Sequence, residues 1–169
     1  MKIGILSDSH ITEMHMKMSV YTRLLMVLTS EFDDVDHIIH AGDICTPNFL
    51  EDLQKIAPVS MVRGNMDDTP RWPKKILLTF EEIKIGIAHR PEDIILFQHD
   101  EIQVYIHGHT HIAKIQTNSE GMLLINPGSL SNPRVDSHTS RFFQKAEPRP
   151  SIALLSIEDG IVSALIKKL

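Results

Sequence analysis

The chain has 169 residues, 42% hydrophobic and 23% charged, which suits one folded domain over residues 1–169 with a sizeable core. Its net charge of −5 argues against sequence-independent binding to duplex nucleic acid, which needs many cations on phosphates. One cysteine, Cys45, rules out an intramolecular disulfide and fits a reducing, cytoplasmic setting, and no apolar run approaches the roughly 20 residues of a membrane span.

In chain order, MKIGILSDSH turns polar too soon for a signal peptide, and KIGIL (Lys2 to Leu6) reads as a buried strand. Met14, Met18, Tyr21, Leu25 and Leu28 then recur at the spacing of an amphipathic helix. VDHIIHAG (Val35 to Gly42) is a second strand. Thr46-Pro47 offers an N-cap with proline at the first helical position, and Phe49, Leu50, Leu53, Ile56 and Ala57 give that helix its apolar face. PVSMVRG (Pro58 to Gly64) is a third strand. This β-α-β-α-β order implies a parallel sheet.

The second part is richer in strands. ILLTF and IKIGIAH form a hairpin about Glu81-Glu82, and a short helix starts at Pro91. VYIHG, IAKIQT, MLLIN, SIALLSI and IVSALIKKL follow, the last two joined by a turn at Glu158-Asp159-Gly160. Two packed sheets with helices outside is the expected arrangement. Ser131 to Pro150 is a polar loop in which Phe142 and Phe143 are the bulky apolar residues. A loop that long is unusual in a compact domain and is often functional.

Histidine is the compositional oddity, with ten residues scattered from His10 to His138. YIHGHTHIAK places His107, His109 and His111 within five residues. Five apolar runs end in a residue able to bind metal: Asp8 and His10, Asp43, Asn65, His89, then His109 and His111. Each has a bland reading. Asp8-Ser9-His10 could cap a helix, Gly42-Asp43 and Gly64-Asn65 could be turns, and His89 could be a core histidine. Five such coincidences at five strand ends are a poorer account than one crevice beyond the carboxyl ends of parallel strands. Four imidazoles, two carboxylates and one amide, without a thiolate, suit manganese, iron, cobalt, nickel or zinc. Seven ligands exceed the needs of one such ion and would serve two, roughly 3.5–4 Å apart, with one carboxylate bridging.

The ordered blocks SDSH (Ser7 to His10), Gly42-Asp43, Gly64-Asn65, His89, GHTH (Gly108 to His111) and NPGS (Asn126 to Ser129) resemble the calcineurin-like metallophosphoesterase superfamily, in its small bacterial and archaeal phosphodiesterase branch. The resemblance spans nearly the whole chain. It implies an α/β fold, a four-layer αββα sandwich of two mixed sheets, and a dimetal centre at the strand ends. Metal one would be held by Asp8, His10, Asp43 and His111. Metal two would be held by Asp43, Asn65, His89 and His109, with Asp43 bridging and Asp43, Asn65 and His109 closest to the chemistry. The implied cofactors are two divalent ions, manganese first, with nickel, iron, cobalt or zinc as alternatives. The implied activity is hydrolysis of a small phosphodiester by a hydroxide bridging the ions, with no membrane partner and with self-association left open.

The alternative is a protein-binding scaffold on the same fold, as in the retromer subunit, which departs at the bridging aspartate and the asparagine. Both Asp43 and Asn65 are present here. A C–N bond hydrolase is a third reading, which the asparagine block opposes. Some positions depart from the family pattern, and others match no ligand in it. Met66 stands where many members carry a proton-donating histidine. Arg90, where glycine is common, would meet a phosphate or lie in solvent. Arg63 and Arg134 resemble positions near the site. His107 and His15 match no ligand, and Cys45 reads as a small buried residue.

Overall fold

The structure is a computed structural model and describes residues 1–136 and 147–169. His138, Phe142 and Phe143 lie outside the described residues. Strand β1 (Lys2–Leu6) pairs in parallel with β2 (His37–His40), and β2 with β3 (Val59–Met61). The intervening chain forms α1 (Glu13–Met16), α2 (Ser19–Glu31) and α3 (Pro47–Gln54), so the expected β-α-β-α-β order is present. Strand β4 (Lys75–Phe80) turns back through Glu81 and Glu82, both at positive φ, into β5 (Ile83–Ala88). A two-residue hairpin of this hand requires that conformation. The strands β6 (Val104–Ile106), β7 (Lys114–Thr117), β8 (Leu123–Asn126), β9 (Ser151–Glu158) and β10 (Ile161–Lys168) complete two mixed five-stranded sheets. Their orders are β10-β9-β1-β2-β3 and β4-β5-β6-β8-β7.

The two sheets pack face to face. Ile3, Ile5, Ile39 and Leu155 of the first meet Ile85, Ile87, Val104 and Ile106 of the second in one fully buried cluster. The outer face of the first sheet is covered by helices, where Leu6, Ile38 and Ile152 pack against Tyr21, Leu28, Phe32, Phe49 and Leu53. Gly4 leaves room there, because a Cβ would overlap the Phe32 ring. The fourth layer is thin. A 3-10 helix at Pro91–Phe97, the helix expected from Pro91, lays Phe97 against Tyr105 on the outer face of the second sheet.

The first helical stretch departs from its stripe. The chain breaks at Met18, whose extended backbone separates α1 from α2. Met14 and Met18 are 74% and 50% exposed, so only Tyr21 and Leu28 of the five stripe residues are buried, with Leu25 half-buried. Thr46 does begin α3 with Pro47 in its first turn, but its hydroxyl donates to Glu13 instead of capping the helix. Among the described residues no helix is long and apolar enough to cross a membrane.

Candidate metal centre

Because β1, β2 and β3 run parallel, as do β5 and β6, the loops at their carboxyl ends meet in one crevice. They are laced together by backbone: Asp8 N–H donates to Gly42 O (3.0 Å), His10 N–H to Asp43 O (3.0 Å) and Gly108 N–H to His89 O (2.9 Å). Glycine permits two further close approaches. A Cβ on Gly64 would overlap the Asp43 carboxylate, and one on Gly108 would overlap the Ser7 hydroxyl.

All seven candidate ligands converge. On one side, His10 Nε2 is 3.3 Å from His111 Nε2 and 3.8 Å from Asp43 Oδ2, and His111 Nε2 is 3.2 Å from Asp8 Oδ1. On the other, His89 Nε2 is 3.4 Å from Asp43 Oδ2 and 3.2 Å from Asn65 Oδ1, which is 2.9 Å from His109 Nδ1. Asp43 therefore faces both groups. Asp8, His10 and His111 form one set able to hold a cation, and Asp8, Asp43 and His89 form another.

The surrounding hydrogen bonds fit metal ligation. His89 Nδ1 donates to Ala41 O (2.8 Å) and His111 Nδ1 to Asn132 O (2.7 Å), so both rings present an Nε2 lone pair to the crevice. Two such nitrogens at 3.3 Å, His10 with His111, need a proton or a cation between them. Asp8 and Asp43 are 0% and 2% exposed, and buried carboxylates call for charge partners. Burial pushes the Asp43 carboxyl up, but the His89 ring and the Met66 N–H outweigh it and hold the pKa below its ordinary value. Burial pushes His89 down, and the Asp43 carboxylate more than reverses this, leaving it raised. His109 is lowered by burial, then by the charges of His89 and Arg90.

Local backbone is bent to aim these groups. Asp8, His10, Asp43, His109 and His111 have φ between 48° and 67°, the left-handed region that costs non-glycine residues on the order of 1–3 kcal/mol each. Something must hold them there, and three residues to which the sequence reading gave no role do so. The Asp67 carboxylate accepts N–H bonds from Asp43, Ile44, Cys45 and Gly64 at 2.7–3.0 Å. The Asn126 amide donates to Gly108 O (3.0 Å) and Thr110 Oγ1 (2.9 Å), and its carbonyl accepts Gly128 N–H (2.9 Å). Ser129 Oγ donates to Asp8 O (2.7 Å). The available signal was that Asn126 and Ser129 belong to NPGS and that Asp67 lies two residues after Asn65.

The remaining flagged residues fall around the crevice. His107 is buried, stacks on Tyr105 and contacts Asn126 and Gly108, outside both clusters. His15 lies in α1, bonded to Thr12. Arg90 is exposed beside Glu92, and Arg134 is exposed with its N–H on His111 O. Cys45 corrects the sequence reading. It is half-buried at the rim, 3.8 Å from His10 Nδ1, with its thiol pushed up to about 11 by burial and then by Asp67 and Asp43.

The family model for the calcineurin-like phosphoesterase superfamily domain matches residues 1–159. The chain belongs to that superfamily. Membership places it among metal-dependent hydrolases of phosphate esters. It is 33% identical over 177 aligned positions to a probable metallophosphoesterase of Methanocaldococcus jannaschii, covering 98% of this chain and 81% of that protein. Solved structures that share the fold include the following two. Vps29 of Entamoeba histolytica in complex with Zn²⁺ superposes with a TM-score of 0.70 at 20% identity, over 99% of both chains. A novel archaeal phosphodiesterase superposes with a TM-score of 0.69 at 21% identity, over 99% of this chain and 100% of that one.

Proposed function

We propose that the chain is a dimetal phosphodiesterase acting on a small diester in the cytoplasm. The observation that carries this reading is the position of Asp43 Oδ2, which lies between His10 Nε2 at 3.8 Å and His89 Nε2 at 3.4 Å. One divalent ion would take Asp8, His10, Asp43 and His111, and the other Asp43, Asn65, His89 and His109. Manganese is the first choice from this N/O donor set, with nickel, iron, cobalt or zinc as alternatives. When bound, the two ions supply Lewis acidity, making water nucleophilic near neutral pH and neutralising phosphoryl charge.

The chain's own residues set the rest. Asp8 and Asp43 lie at the floor of the crevice, while Asn65 is exposed and His109 half-exposed at its mouth, where a phosphoryl group would approach. Water adds to phosphorus, one ester P–O bond breaks and the departing oxygen must gain a proton. Met66, 58% exposed beside Asn65, has none to give. Phosphodiesterase activity is named for one fold neighbour. The alternative is the scaffold reading, and the fold is shared with Vps29 as well. Since that Vps29 was solved with Zn²⁺, metal content alone does not separate the two readings.

Turnover does separate them. The Mn²⁺-loaded protein is assayed on chromogenic diesters and monoesters whose leaving groups span a range of acidity. The expected result is faster hydrolysis of diesters, with rates falling steeply as the leaving group becomes less acidic. General-acid help, worth on the order of 10²–10⁴-fold, is missing at Met66. A metal-loaded protein that hydrolyses no ester would favour the scaffold.

A further inference from the structure

Beside Asn65 and His89 the crevice continues into a cavity of about 330 Å³ lined by Arg63, Lys74 and Arg90. Asp93 also lies on its wall, and Arg90 is loosely paired with Glu92 at 3.7 Å. Neither Arg63 nor Lys74 has an acidic partner among the described residues. Three cations stand against two carboxylates, Asp93 on the wall and Glu92 beside Arg90, a local excess of positive charge in a chain whose net charge is −5. They come from three separate places: Arg63 after β3, Lys74 before β4 and Arg90 after β5. Backbone ties Arg63 to the segment of Lys74, because Arg63 N–H donates to Pro73 O (2.7 Å), and chain order ties Arg63 and Arg90 to the site, because Arg63 precedes Gly64-Asn65 and Arg90 directly follows His89.

The other mouth of the crevice has different chemistry. Beyond His10 a groove of about 400 Å³ is lined mainly by apolar side chains, among them Ile11, Leu24, Val27 and Leu130. Arg23 is the one arginine or lysine on that groove, against three at the basic cavity, so positive charge is concentrated at one end of the crevice. Two arginine forks and a lysine ammonium, of which Arg63 and Lys74 have no acidic partner among the described residues, suit an oxyanion of more than one charge.

We propose that this basic cavity seats a second phosphoryl group of the substrate, so that the substrate is a diester carrying an additional terminal phosphate on one arm. The proposal rests on the phosphodiesterase reading and narrows its substrate class. Arg63, Lys74 and Arg90 are then specificity residues for the distal phosphate, and the scissile diester lies at Asn65 and His109.

The test uses two matched substrates: the p-nitrophenyl ester of thymidine 5′-phosphate and the same ester with a 3′-phosphate, thymidine serving only as a spacer. The Mn²⁺-loaded wild type is expected to favour the phosphorylated ester at least about tenfold in kcat/KM, mainly through KM, since charge-assisted hydrogen bonds are of that strength. In Lys74→Ala/Arg90→Ala the ratio should fall toward one, and Lys74→Arg should keep it. A general structural defect would slow both esters and leave the ratio in place. An equal kcat/KM for the two esters in the wild type, or a ratio unmoved in the double variant, overturns the proposal. If neither ester is hydrolysed, the phosphodiesterase reading fails. The cavity is then judged by calorimetry with thymidine 3′,5′-bisphosphate against thymidine 5′-phosphate. A wild-type preference of about tenfold that the double variant loses supports the phosphate site, and equal affinities refute it.

Discussion

The loops after β1, β2 and β3 contribute both carboxylates and the amide of the cluster, with one imidazole, whereas those after β5 and β6 contribute imidazoles alone. Their braces differ in the same sense. The loop at Asp43 turns three N–H groups inward, Gly64 of the loop after β3 adds a fourth, and all are held by Asp67, a group that only accepts. The turn at His109 presents a carbonyl and a hydroxyl and is held by Asn126, which can donate. The comparison teaches that the left-handed backbone at a ligand is held by a group matched to the polarity of the turn it braces.

The largest stability effect should follow from exchanging an acceptor for a donor on the acidic side. In Asp67→Asn one oxygen becomes an NH₂ that opposes two N–H donors. We expect a loss of about 2–4 kcal/mol, because charged hydrogen bonds contribute about 1.5–3 kcal/mol each and buried donors are orphaned. Urea unfolding measures it. A loss under about 1 kcal/mol would mean that Asp67 does not hold the loop.

Acidity should separate the two sides next. His40, at the end of β2, is fully buried and pushed down to about 3 by burial and then by the charge of His89. Between about 3 and its ordinary 6.5 the unfolded chain binds a proton that the folded chain refuses. This contribution therefore falls as pH drops below 6.5, by up to about 1.4 kcal/mol per pH unit. His89 behaves oppositely. Its folded pKa is raised, so its contribution is complete below 6.5 and is lost as pH rises through the raised value. The metal-free protein should be most stable near pH 6.5, with bound metal removing the alkaline decline. A thermal-unfolding series against pH that climbs steadily above pH 7 without metal would contradict the pairing of His89 with Asp43.

A smaller effect is expected at the neutral brace. Asn126→Ala removes neutral hydrogen bonds at about 1 kcal/mol each, so roughly 1–3 kcal/mol should be lost. A loss exceeding that of Asp67→Asn would reverse the comparison. The smallest effect belongs to His107→Gln. It should leave metal content unchanged and cost under about 1.5 kcal/mol, whereas His111→Gln should empty one site. Elemental analysis of both variants decides this.

The fold was legible where apolar runs end in turns of definite chemistry, as at KIGIL, HIIHAG and IKIGIA. The ligand positions were legible because each follows such a run. The helix over Met14 to Leu28 was misread because apolar spacing reports what could be buried, while Met14 and Met18 turn outward past a break. The bracing roles of Asp67, Asn126 and Ser129 were missed for another reason, although NPGS was noted as a block. Their partners are backbone groups of loops up to 121 residues away, and a periodic pattern carries no trace of such pairings. The left-handed ligands were hidden too, since no glycine marks those positions.

The most direct test of a two-ion centre bridged by Asp43 is the metal-to-protein ratio after equilibrium dialysis against Mn²⁺. The account predicts two ions per chain in the wild type, about one in His111→Gln and close to none in Asp43→Asn at the same free metal. One ion at saturation in the wild type, or two retained by Asp43→Asn, would contradict it.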